Sequence, residues 1–314
     1  MKRGVFRMKK PYIILAAILI MLGLGGIGAF LKETVNSRLE NLQIVWSQFY
    51  SDDSGKVVSG KILNYDPNKK ERIVLGDVPL DNMSFAGDSS FIGFQKTFGD
   101  ANKFLGIVIY HSDTGETEEI IGYERLVQES ASAYNPEFAG SIRLSNDEKK
   151  IYFLFANQMI EYARNTDTLT VLFHTDSPQF ELSGDEKNIY FTENSTLYKY
   201  SILHGTKEKV IDGVFQFAVS DNEDLIAFEN KDSKEIWLYY PQNDQTEKIA
   251  DLHSIDNNLS FGKDGNFLLY TDYKYSIVPG NMKIRIKLYD LEEKTTLTAY
   301  KGDYSDNIRT VLLR

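Results

Sequence analysis

Gly55-Lys56-Val57-Val58-Ser59-Gly60-Lys61-Ile62 comes within one residue of a phosphate-binding loop. That chemistry requires a Ser or Thr hydroxyl after the lysine to hold Mg²⁺, and a helix N-terminus to face the phosphates. Ile62 occupies the hydroxyl position, and the segment reads as a β-hairpin, so nucleotide binding is excluded. The histidines His111, His174, His204 and His253 are dispersed, with no pair at helical or zinc-ligand spacing, and read as surface turn residues. No Gly-x-Ser-x-Gly elbow and no Asp-x-Asp-x-Asp-Gly calcium loop is present. The sequence therefore calls for no catalytic residues, no metal and no cofactor. What remains is recognition, for which the candidates are aromatic residues in long interruptions: Phe98, Tyr123, Tyr134, Phe138, Tyr273 and Tyr275.

The elements that would hold these aromatics follow a repeat. Six times a tyrosine closes a short apolar or β-branched run: Tyr65, Tyr110, Tyr162, Tyr200, Tyr239 and Tyr289, at gaps of 45, 52, 38, 39 and 50 residues. That period suits one four-stranded sheet per repeat and hence a radial array of six blades. The tyrosines sit at fixed blade positions and read as packing between sheets. A second signal precedes each second strand. Ser145-Asn146-Asp147, Ser183-Gly184-Asp185 and Ser220-Asp221-Asn222 are followed by apolar runs, with weaker copies at Ser51-Asp52-Asp53, Ala86-Gly87-Asp88 and Gly262-Lys263-Asp264. A serine followed by an acid or amide suits a tight turn, because these side chains bond the next backbone N–H groups. Each repeat then parses as strand A, the turn, strand B, strand C ending at the tyrosine, a polar hairpin and strand D.

Ser183-Gly184-Asp185-Glu186-Lys187-Asn188-Ile189-Tyr190-Phe191 and Asp113-Thr114-Gly115-Glu116 resemble the TolB-like and WD40-like β-propellers of bacterial cell envelopes. The resemblance covers most of residues 44–300 and implies an all-β, six-bladed propeller of four-stranded antiparallel sheets. The chain departs from that pattern in lacking the turn proline and most of the glycines. The superfamily hosts many activities, so the resemblance speaks for fold and not for function. A ring must also be closed, and two segments compete for the inner strand of the first blade: 308–313 and 44–49.

Residues 12–31 are free of charge and long enough to cross a bilayer as a helix. Lys2, Arg3, Arg7, Lys9 and Lys10 precede them without an acid, which places the N-terminus in the cytoplasm and the remainder outside. The expected organisation is a basic cytoplasmic segment (1–11), a transmembrane anchor (12–31), a stalk (32–43) and a propeller (44–314). The rival is a cleaved signal peptide, since the run ends in Gly25, Gly26, Gly28 and Ala29. No cysteine exists, so the exported part is stabilised by core burial and not by disulfides. The chain has 35 Lys and Arg, five of them before residue 11, against 45 Asp and Glu, which argues against a nucleic-acid partner.

In such a blade the A–B and C–D turns emerge on one face, and the B–C and D–A connections on the other. The longest interruptions, 95–103, 122–140 and 272–283, all belong to the second face and carry the six aromatics named above. The expected function is a membrane-anchored extracytoplasmic binding or assembly module. It would meet a protein or other cell-envelope partner on the long-loop face. Two alternatives stand beside it. The Ser-x-Asp turns before aromatic strands resemble the Asp-boxes of sialidases, which suggests a glycosidase-like enzyme, but no pair of facing carboxylates can be nominated. A ligand-sensing subunit of a membrane complex is the other, and it would need a second protein for its output.

Overall fold

The structure, a computed structural model, describes residues 39, 42–51, 57–87, 89–96, 104–129, 139–253, 258–275, 282–303 and 308–313. Six four-stranded antiparallel sheets form the six blades of a propeller. From the inside outward, blade 1 is Ile308–Leu313, Ile44–Ser51, Val57–Asp66 and Glu71–Gly76. Blade 2 is Leu80–Phe85, Ser90–Lys96, Phe104–His111 and Glu116–Gly122, and blade 3 is Ala139–Leu144, Lys150–Phe155, Gln158–Ala163 and Thr168–His174. Blade 4 runs through Phe180–Leu182, Asn188–Glu193, Thr196–Ser201 and Thr206–Asp212, and blade 5 through Val214–Val219, Ile226–Asn230, Glu235–Tyr240 and Gln245–Asp251. Leu259–Phe261, Phe267–Tyr275, Met282–Asp290 and Thr295–Asp303 complete blade 6. A short helix, α1 (Tyr123–Glu129), joins blades 2 and 3.

The competition for ring closure is settled by register. Leu313, Leu312 and Val311 pair with Ile44, Val45 and Trp46, so the C-terminal strand is innermost and 44–51 is second. Ser51-Asp52-Asp53 is consequently not an A–B turn. Ser51 ends the second strand of blade 1, because the inner strand arrives from the other end of the chain.

Second strands are buried on both faces, which is why they read as unbroken apolar runs. Ile151, Phe153 and Phe155 pack with blade 2, whereas Tyr152 and Leu154, one residue out of phase, pack with blade 4. The core is thus six separate clusters, one at each blade junction. Each repeated tyrosine sits in a different cluster and faces the preceding blade, as expected of inter-sheet packing. Tyr110 shows how close that approach is: its hydroxyl donates to the Leu75 carbonyl of blade 1 at 3.1 Å. A Cβ at Gly76 would stand 2.4 Å from its ring.

Every outermost strand carries a bulge opposite the same step of its neighbour. The extra residue is apolar each time: Leu75, Ile120, Leu172, Val210, Ile249 and Ala299. All six are partly buried against the adjacent cluster. The bulge bends the strand and turns that one side chain inward from an otherwise exposed edge.

Among the described residues no helix is long and apolar enough to cross a membrane. The expected anchor, 12–31, lies outside the described residues, as does the basic segment before it. Leu39 and Leu42 are described, and both are buried in the cluster between blades 1 and 6.

Candidate functional site

Three of the A–B turns share one hydrogen-bond plan. Ser145, Ser183 and Ser220 each donate to the acid or amide two residues on, Asp147, Asp185 and Asn222, at 2.8–3.0 Å. Each hydroxyl also accepts the backbone N–H five residues on, from Lys150, Asn188 and Leu225, at 2.9–3.0 Å. The residue after the acid or amide takes a left-handed conformation, with φ of 57°, 58° and 59° at Glu148, Glu186 and Glu223. Glycine would be the cheap choice there. At two of the three turns the glutamate reaches the preceding blade. Glu186 accepts the Asn146 backbone N–H, and Glu223 accepts from Asn188, Tyr190 and Lys199. Burial alone would raise the Glu223 pKa, but the hydrogen bonds from Lys199, Tyr190 and Asn188 bring it below the ordinary value. Asp147 and Asp185 are held at about 2, chiefly by hydrogen bonds from Lys149 and Lys187.

Just inside these turns lies a central cavity of about 1410 Å³, walled by the inner strands of all six blades. An apolar collar rings it. Phe85, Leu144, Leu182, Val219, Phe261 and Leu313, one from each blade, line the cavity at equivalent register, each resting on the core cluster at its blade junction, with Leu313 buried and the other five partly exposed. Their partners are the residues that in turn pair with the repeated tyrosines. Above this collar the turns add Asn146, Glu148, Asp185, Glu186, Asp221 and Lys263 to the lining. Deeper in the wall Arg143 and Glu181 pair across blades 3 and 4. Arg143 Nη2 lies 2.7 and 2.8 Å from the two carboxylate oxygens, and Nη1 donates to the Ile142 carbonyl at 2.8 Å. Gln179 donates across blades 4 and 5 to the Phe217 carbonyl at 3.0 Å. Each inner strand has no further strand on its cavity side, so it presents backbone donors and acceptors to whatever enters.

The long-loop aromatics fare differently. Phe98, Tyr134 and Phe138 lie outside the described residues. Tyr123 opens α1 and packs against the cluster between blades 2 and 3, while Tyr273 packs against the cluster between blades 6 and 1 and reaches the cavity wall. Tyr275 ends its strand opposite Met282. Tyr273 and Tyr275 therefore belong to a strand and not to a loop, since the second strand of blade 6 runs on to 275. Tyr273 and Tyr275 share one face of that strand, and Tyr123 stands at the junction of blades 2 and 3.

Two arrangements were not foreseen. The collar was readable in principle, because most of its residues stand immediately before the turn copies. The other is Asp272, fully buried, which accepts the His253 backbone N–H at 3.0 Å and lies 3.0 Å from both His253 Nδ1 and Lys287 Nζ. Burial pushes the Asp272 pKa up, yet these donors bring it below the usual carboxylate value. The group fastens the connection between blades 5 and 6 on the long-loop face. Its partners are 19 and 15 residues from Asp272 in sequence, a spacing that carries no local signal.

No family model and no curated protein matches the chain. Among solved structures, TolB from Acinetobacter baumannii aligns with a TM-score of 0.62 at 13% identity, over 86% of this chain and 66% of that one. The chain thus spans just under two thirds of TolB. A chain of the nidogen/laminin complex aligns with a TM-score of 0.56 at 11% identity, over 87% of this chain and 98% of that one. At such identities the likeness is one of fold, and in fold this chain is a six-bladed β-propeller similar to that of TolB.

Proposed function

We propose that the chain is a membrane-anchored, extracytoplasmic propeller that acts by recognition and takes an extended segment of a partner protein into its central cavity. The observation that carries this is the six-residue apolar collar set in a wall of exposed strand edges. Apolar side chains of a guest would be buried at the collar, and its backbone polar groups would meet those of the inner strands. The cavity carboxylates support recognition over turnover. Glu181 is engaged through both oxygens by Arg143, and Asp185, at about 2, is part of a fastened turn. Anchoring rests on the charge-free run 12–31 and the basic residues before it.

The test is capture of partners from detergent-solubilised envelope by the full chain and by a Leu182→Asp/Phe261→Asp variant, both shown to melt alike. Loss of a stoichiometric partner with the variant is expected. Equal capture by both would overturn the cavity as the site.

A further inference from the structure

The outer edge of blade 1 is the most apolar of the six. Its last strand, Glu71–Gly76, presents Ile73 and Val74 at 55% and 51% exposure. At the same two places before the bulge, blade 2 has Glu118-Glu119, blade 4 has Glu208-Lys209 and blade 5 has Glu247-Lys248, while blade 3 has Thr170 beside a single exposed Val171 and blade 6 has a partly buried Leu297 beside Thr298. The hairpin leading into the strand carries Lys69 and Lys70, and Arg72 follows. Asp66 fixes this hairpin by accepting the Asn68 and Lys69 backbone N–H groups at 2.9 Å each, with Lys69 Nζ 3.1 Å from its other oxygen. Arg72 touches the Tyr300 hydroxyl at 3.4 Å. Three cations, with the exposed Glu71 among them and Lys69 paired to Asp66, thus stand beside two exposed apolar side chains.

The same place is where the chain reaches the disc. Ile44 begins the second strand of blade 1 opposite Tyr65, at the turn face, and Leu39 and Leu42 are buried beside it. Between Leu31, which ends the charge-free run, and Leu39 the chain can extend at most about 28 Å. We infer, on the anchored reading above, that the turn face of blade 1 rests on the bilayer, with Lys69, Lys70 and Arg72 at anionic headgroups and Ile73 and Val74 at the acyl boundary. Basic residues flanking exposed apolar ones suit such an interface. The acidic turns of blades 3–5 stand across the ring from blade 1, so contact through that edge tilts them away from like charge. The long-loop face then points away from the membrane.

Because the chain has no cysteine, single labels can be placed without background. The full chain would carry a fluorophore through Val74→Cys, or through Leu105→Cys, a residue that is 48% exposed and second in the third strand of blade 2, on the opposite face. Each would be reconstituted in vesicles containing lipid with a headgroup quencher. Several-fold stronger quenching at position 74 than at 105 is expected in phosphatidylglycerol vesicles. It should fall to the level of position 105 in phosphatidylcholine, or when Lys69, Lys70 and Arg72 are all changed to Glu. Equal quenching at both positions, or no response to charge reversal, overturns the inference. So does self-quenching between labels at 74 without lipid quenching, which would assign the edge to a second copy. Release of the protein by an alkaline wash would instead sink the anchored reading, and the inference with it.

Discussion

Blades 3–5 and blade 1 hold their junctions by different means. In the middle of the chain, successive blades are laced at their turns: Glu186 reaches blade 3 and Glu223 reaches blade 4, each from a left-handed residue. At the closure no such turn exists, because the inner strand of blade 1 is the far end of the chain. The junction between blades 6 and 1 relies on strand pairing and on packed rings. Trp46, Tyr65 and Tyr300 pack in tilted and edge-to-face pairs with centroids 5.0–6.3 Å apart, and Trp46 is fully buried. Blades 2 and 6 grade between these extremes. In blade 6 Gly262 replaces the serine and Gly265 takes the left-handed place with a φ of 70°. In blade 2 the turn is one residue shorter, with the Ala86 N–H donating to the Ser90 carbonyl and Gly87 at a φ of 111°. Serine, acid and glutamate add bonds where two ordinary blades meet.

Removing the closure should have the largest effect. Deletion of 308–314 takes away Ile308, Val311, Leu312 and Leu313, all buried, and uncovers the two clusters on either side of blade 1. With about 1.5–3 kcal/mol lost for each buried aliphatic side chain, the four together come to about 6–12 kcal/mol, comparable to the whole stability of a typical domain. Cooperative unfolding by urea should disappear, and a retained sharp transition would show that blade 1 closes without its inner strand. Glutamate lacing predicts a smaller and signed contrast. Glu223→Gly relieves positive φ but strands Tyr190 and Asn188, and should destabilise by about 1–3 kcal/mol. Glu148→Gly, where no carboxylate bond to another blade is seen among the described residues, should be stabilising by up to about 1 kcal/mol. Matching shifts in urea midpoint for the two would remove the lacing argument.

The smallest effect is in pH. Asp147 and Asp185 have folded pKa values of about 2, below the ordinary 3.8. Their contribution is complete above about pH 4 and is lost as pH falls toward 2, because the unfolded chain takes up the proton first. Blade 5 already uses Asn222 at this place. Asp185→Asn should therefore keep the turn and flatten the stability profile between pH 4 and 2, as read from urea midpoints. An unchanged profile would mean that Asp185 does not contribute the pH dependence.

The blade count was legible because every blade repeats its apolar strands and its tyrosine, and a two-residue alternation buried on both faces leaves a long signature. Serine turns in blades 3–5 were legible for the same reason. Ser51-Asp52-Asp53 misled because composition cannot tell which strand it follows once the inner strand comes from a distant segment. The site was less legible. The aromatics Tyr123 and Tyr273 carry the composition of a binding loop, yet their rings fill junction cores. Collar residues such as Leu182 and Phe261 look like ordinary strand ends until six of them converge across more than two hundred residues. Asp272 and Lys287 meet through the pairing of adjacent strands, and His253 reaches them from the connection between blades 5 and 6.

One consequence concerns mechanics. The chain enters blade 1 through a strand held on both sides, antiparallel to its third strand and to the C-terminal strand. A pull on the segment before Ile44, directed along that strand, would load both ladders in shear, so their hydrogen bonds would resist together instead of opening one at a time. The point where tension would enter the molecule is thus riveted by the two ends of its own chain.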